Sequence, residues 1–166
     1  RVGVVYAGRM TYRNIKNHYV LIGFNELSIN MIRELYDECP SARILLMSGM
    51  ESATVRHRIQ SALPVEVERQ VLVYFGNIES IEELQRLNIE SAIEVYVLGD
   101  EERYGRDAKN IAIVHLVSTL RGKCYDGKMM PVYVQFDSIP SYSNIQKMNL
   151  PPEVFCIEGK PNIFFR

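Results

Sequence analysis

Three positions define the chemistry open to the N-terminal third of this chain. Gly23 ends an apolar run at 18–24, and Asn25 and Ser28 follow where helix-period residues begin. A strand that breaks at glycine and turns at once into a helix aims unpaired N–H groups and the positive end of the helix dipole at an anion beyond the turn. Glycines at i, i+2 and i+5 would let a diphosphate approach the backbone; here those positions hold Gly23, Asn25 and Ser28. Asn25 places a side chain where phosphate would sit. Glu26 adds a carboxylate that suits the helix dipole and repels a bound anion, and Ser28 is small enough to keep the helix close to the strand.

Further candidates fall at the ends of later apolar runs. Ser48 follows the second, where a carboxylate would serve ribose hydroxyls, and the nearest acid is Glu51. Gly76 and Asn77 turn the chain after the third run, and Gly99 and Asp100 close the fourth. The candidate binding set is therefore Gly23, Asn25, Ser28, Ser48, Gly76, Asn77, Gly99 and Asp100. Asp100, Glu101 and Glu102 offer oxygen ligands to calcium, against the plainer reading of a solvated loop. His18, His57 and His115 and the three cysteines, Cys39, Cys124 and Cys156, lack metal-ligand spacing, so no metal site and no disulfide framework is expected. His115 reads as a hydrogen-bonded core histidine. No catalytic constellation is assigned.

These residues need a scaffold, and the bulk properties supply one. The chain has 166 residues, 47% apolar, enough for a single core. Its net charge of −1, from 19 basic and 20 acidic residues without a polybasic block, argues against nucleic acid as a partner. No apolar run approaches the roughly 20 residues of a membrane span. The start at Arg1, without methionine, suggests an excised fragment whose flanks include membrane segments.

Periodicity places six strands at 18–24, 42–47, 70–75, 94–98, 131–136 and 154–157. Helices are expected at 27–39, 51–63 (ended by Pro64), around Ile81, Leu84 and Leu87, at 107–120, and at 141–148. The 107–120 helix should pack through Ile111, Val114, His115, Val117 and Ser118. Its apolar arc of Ile111, Ile113, Val114, Leu116 and Val117 is wider than one sheet contact needs. Residues 122–130 are the one loop long enough to suggest flexibility. The alternation predicts an α/β, doubly wound, Rossmann-like parallel sheet with strand order 3-2-1-4-5-6. Residues 1–17, with a short strand at 2–6, form a lead-in from a missing upstream membrane region, and 18–166 form the domain.

The stretch Gly76-Asn-Ile-Glu-Ser-Ile-Glu-Glu-Leu-Gln-Arg-Leu-Asn-Ile-Glu-Ser-Ala92 resembles the "G-D-x-x-x-x-x-x-L-x-x-x-x-I-x-x-A" passage of regulator of potassium conductance (RCK, also KTN or TrkA-N) domains. Asp107-Ala-Lys-Asn110 resembles the "D-x-x-N" that opens the next helix of that family, and 136–150 resembles its strand-five exit and short helix. The resemblance runs in order over about nine tenths of the chain. It implies a non-enzymatic, ligand-sensing regulatory domain on the cytoplasmic side of the membrane. Its partners would be a second such domain and the membrane-embedded region of a potassium channel or transport-related protein. NAD(H) or an adenine nucleotide is the ligand class it implies. Asn25, Glu26, Ser48 and the loss of charge at Asn77 set the expectation that dinucleotides bind weakly. Two other readings are an NAD(P)-dependent oxidoreductase, for which the chain lacks a placed Tyr-x-x-x-Lys pair and a substrate domain, and a purely structural assembly module.

Overall fold

Strand β1 (Tyr19–Ile22) is buried at all four positions. A four-residue apolar strand of this kind demands cover on both faces and a neighbour on each edge. The computed structural model, which describes residues 15–138 and 147–157, meets that demand with one parallel sheet. The other strands are β2 (Ile44–Ser48), β3 (Val71–Phe75), β4 (Glu94–Val97), β5 (Val132–Val134) and β6 (Val154–Cys156). Their order is β3-β2-β1-β4-β5-β6, as the alternation of strands and helices predicts. Tyr19 stands in register with Ile44 on one side and Glu94 on the other, so β1 is the point at which the winding reverses.

Alternation along each strand sorts the core into two layers. Tyr19 and Leu21 face α1 (Ser28–Glu38) and α2 (Ser52–Ala62) through Met31, Ile32, Leu35, Val55 and Ile59. Val20 and Ile22 face the opposite layer. That layer contains Leu84 of the short helix α4 (Ile81–Leu84), Leu87 and Ile89 of the 3₁₀ turns after it, and Ile113, Val114 and Val117 of α5 (Arg106–Leu120). Each fully buried aliphatic side chain contributes about 1.5–3 kcal/mol, so the two layers are the main source of stability. On the β4-β5-β6 side, the Tyr96 and Tyr133 rings stack at 5.0 Å and 15°, and Tyr133 meets Phe155 at 5.6 Å.

Several local expectations need correction. Pro64 ends α2 but also starts a further turn, α3 (Val65–Glu68), which buries Val67, because proline suits the entry to a helix as well as its end. Residues 122–130 are not a loose loop: Lys123 and Met129 form an antiparallel bridge around a turn at Gly127 (φ +86°), and the Arg121 guanidinium donates to the Met130 and Pro152 carbonyls. His115 is exposed rather than in the core. The buried face of α5 runs Arg106, Asn110, Ile113, Val114, Val117; two polar residues occupy positions that the apolar pattern alone assigned elsewhere. The buried histidine is His18, whose Nε2 lies 2.9 Å from the Leu87 carbonyl while Nδ1 has no partner among the described residues. Asn17 N–H donates to the Ser91 carbonyl and Asn88 Nδ2 to the Ile15 carbonyl, so residues 15–17 are tied to the domain. The strand expected at 2–6 lies outside the described residues, as does nearly all of the helix expected at 141–148.

Candidate functional site

The eight candidate residues gather at the carboxyl ends of β1 to β4, where two of the glycines meet backbone to backbone. Gly23 has φ +98° and Gly99 φ +81°. A Cβ on Gly23 would fall 2.3–2.4 Å from the Gly99 backbone, so the β1 and β4 ends touch main chain to main chain. Only a residue without a side chain permits that contact.

Asn25 is 1% exposed and points into the protein, away from the place where phosphate would sit. Its Nδ2 donates to the Leu98 and Gly99 carbonyls at 3.1 and 2.8 Å, and its Oδ1 accepts from Leu27 N–H at 2.9 Å. Its own N–H donates to Ser28 Oγ at 2.9 Å, and Ser28 N–H returns to the Asn25 carbonyl. The entry to α1 is thereby satisfied from within, with donors used that an anion would otherwise take.

Asp100 completes the closure. Its Oδ1 accepts from Phe24 N–H at 2.8 Å and Ser48 Oγ at 2.6 Å, and its Oδ2 accepts from Gly49 N–H at 2.9 Å. The carboxylate absent after β2 is thus supplied from the end of β4. Within the acidic run Asp100 turns inward, whereas Glu101 and Glu102 stay exposed, Glu101 paired with Arg58 at 2.7 Å and Glu102 accepting from Tyr104 N–H. Among the described residues no group of three histidine, cysteine or acidic side chains converges on a common point.

Charges tie the segment 100–106 across the mouth. Arg103 pairs with Glu26 at 2.7 Å, and Arg106 lies 3.6 Å from the same carboxylate. The backbone N–H of Glu26 and these two guanidinium groups hold its carboxyl below the ordinary range. Arg106, 2% exposed, grips both Asp137 oxygens and donates to the Asp100 carbonyl at 2.9 Å. Burial opposes its charge, but Asp137 outweighs burial and holds the Arg106 pKa above its usual value. Asn110 binds the Leu98 and Gln135 carbonyls, and Asp107 accepts from the N–H groups of Asp137 and Ser138. Asp107 and Asn110 came from the D-x-x-N motif, whereas Arg106, Asp137 and Arg58 were missed. Only the tertiary fold brings them to the mouth.

Beside the closed mouth lies an open pocket of about 520 Å³. Gly76 and Asn77 line it with Gly49 and Gly99, Ile78 and Ile113 give it apolar wall, and Glu79, Glu83, Glu102 and Lys109 bring charge. It can accept a small molecule with a compact apolar part. The crevice therefore has two halves, one closed by its own hydrogen bonds and one open.

No family model and no curated protein sequence matches the chain. Solved structures do. The GsuK RCK domain has a TM-score of 0.61 at 13% identity, over 89% of this chain and 27% of that one. The GsuK channel bound to NAD has a TM-score of 0.59 at 13% identity, over 89% and 22%. The TrkA-N domain of the inner membrane protein ybaL from Escherichia coli has a TM-score of 0.56 at 15% identity, over 88% and 90%. The chain spans about a quarter of the GsuK chains and nearly all of the ybaL domain. The six-stranded order, the glycine-to-glycine contact of β1 with β4 and these likenesses together give one conclusion: this chain has the Rossmann-type fold of RCK and TrkA-N domains.

Proposed function

We propose that this chain is a cytosolic regulatory, ligand-sensing domain of a potassium channel or potassium transport-related membrane protein, and that it catalyses no reaction. The observation that carries the reading is the likeness in fold to RCK and TrkA-N domains over nearly the whole chain, joined to the matching passage at 76–92. An effector in the open half would bias the arrangement of paired domains, provided that it binds the two arrangements with different affinity. Ile111, Leu116 and Leu120 on α5 are only partly covered within the described chain and are the surface proposed for pairing. Dinucleotides bind this crevice weakly, with dissociation constants no tighter than about 0.1 mM.

The test is potassium flux through the full-length gene product in a strain that lacks its own potassium uptake. Flux that responds to a substitution in the open pocket, such as Lys109→Glu, while the protein remains folded and in the membrane, supports the reading. Flux that is absent, or indifferent to every pocket substitution, overturns it. Light scattering of the isolated chain tests pairing: a dimer lost on Leu116→Glu is expected, and a monomer at high concentration counts against it.

A further inference from the structure

Three donors from two different strand ends converge on one internal carboxylate. Phe24 N–H follows β1, Ser48 O–H and Gly49 N–H end β2, and the Asp100 side chain reaches all three from β4 at 2.6–2.9 Å. Two backbone N–H groups and a hydroxyl in this convergence are the donor set that phosphate or carboxylate oxygens require. We infer that Asp100 is the specificity-determining residue of the crevice: a resident counterligand that occupies an oxyanion site and thereby excludes phosphate-bearing molecules from it.

The exclusion has two physical parts. An entering oxyanion finds its donors already taken, and it meets a fixed negative charge at contact distance. Asp100 is held by its own three bonds and by its flanking backbone, where Gly99 N–H donates to the Ile22 carbonyl at 3.0 Å. The Arg106 guanidinium donates to the Asp100 carbonyl, Glu101 is paired with Arg58, and Arg103 is paired with Glu26. Ser48 further fixes the site by accepting from Met50 N–H at 3.0 Å while donating to Asp100. The substitution of Asn25 for glycine, which the sequence alone makes the obvious obstacle to phosphate, is turned inward and is not the barrier.

The inference takes the crevice as the ligand site of the preceding section, and it fails separately from that reading. Calorimetry with inorganic phosphate and with ADP is run on the wild-type chain, Asp100→Ala, Asp100→Asn and Glu102→Ala, with amide resonances of Phe24 and Gly49 followed in parallel. Asp100→Ala should bind both probes at least about tenfold more tightly than wild type, with shifts centred on Phe24 and Gly49. Glu102→Ala, which removes the same charge from the rim of the pocket without freeing the three donors, should raise affinity clearly less than Asp100→Ala and leave the Phe24 and Gly49 amides unshifted. Adding Ser48→Ala to Asp100→Ala should reduce the gain. Should Asp100→Ala fail to fold, the near-isosteric Asp100→Asn frees the Gly49 N–H alone, and a phosphate-dependent shift confined to that amide is expected. Wild-type protein that binds phosphate with shifts at Phe24 and Gly49, a folded Asp100 variant with no gain, or an equal gain in Glu102→Ala each overturns the inference. None of these outcomes bears on potassium flux, which tests the regulatory reading.

Discussion

The two halves of the crevice lie on the same edge of the same sheet and are built from the same strand-to-helix turns, yet one is sealed and the other is open. At the β1 and β2 ends, polar side chains reach across to other strands: Asn25 to Leu98 and Gly99, Asp100 to Phe24, Ser48 and Gly49. At the β3 end the polar side chain stays local, Asn77 Oδ1 accepting from Glu79 N–H two residues on, and the space beyond remains open. What seals a crevice is the range over which its polar groups find partners, rather than the bulk of the residues that replace glycine.

The hardest blow to this contrast is struck at Gly23. Gly23→Ala should cost more than about 3 kcal/mol, since φ is +98° and the new Cβ would collide with the Gly99 backbone; urea unfolding measures it. A cost below 1 kcal/mol would show that the β1–β4 contact is not tight. Asn25→Gly restores the second glycine and should still destabilise by about 2–3 kcal/mol, because the Gly99 carbonyl, the Gln135 side-chain oxygen and Leu27 N–H each lose the Asn25 bond, while the Leu98 carbonyl keeps Asn110. It should not yield tight dinucleotide binding, because Asp100 stays in place. Micromolar affinity for NAD in that variant would locate the barrier at Asn25 after all.

Acid sensitivity separates the mouth from the opposite end of β1. Burial lowers the His18 pKa below 6.5, against the opposing effect of its bond to the Leu87 carbonyl, so the unfolded chain binds the proton more readily. Stability should fall as pH drops through 6.5 toward the lower folded value, and His18→Gln should flatten that slope in thermal melts. An undiminished slope in the variant would assign the sensitivity to other groups. Arg103→Ala removes an exposed ion pair and should cost under about 1 kcal/mol, less at high salt. Glu79→Gln in the open half should change stability by no more than about 0.5 kcal/mol, and a larger loss would mean that this half is not open.

Strand identity and order were legible because each strand is a short apolar run, the first four closed by glycine or serine, and because alternation with helices leaves few topologies. The assembly of all eight candidate residues at one edge follows from that order. What the residues do there was less legible. A glycine-motif comparison judges Asn25 by the volume of its side chain, whereas its rotamer is decided by carbonyls 73 and 74 residues away. Asp100 looks solvated because its neighbours Glu101 and Glu102 are acidic, and its donors come from two other strands. His115 was misplaced for a related reason: Arg106 and Asn110 look like surface residues of α5, yet both are buried by partners across the mouth, which turns the helix face by about one position.

The ring stack across β4, β5 and β6 gives the protein a light-absorbing label of its own. The chain has no tryptophan and 10 tyrosines, and Tyr96, Tyr133 and Phe155 bring their rings within coupling distance on β4, β5 and β6. Burial, with the Glu94, Glu38 and Glu153 carboxylates nearby, pushes the Tyr133 phenol up to about 12, so this ring stays neutral in mildly alkaline solution. Near-ultraviolet dichroism therefore carries a signal from the β4-β5-β6 side of the sheet, and a ligand that perturbs it from the mouth has acted through β4, which carries Tyr96 and leads into Asp100.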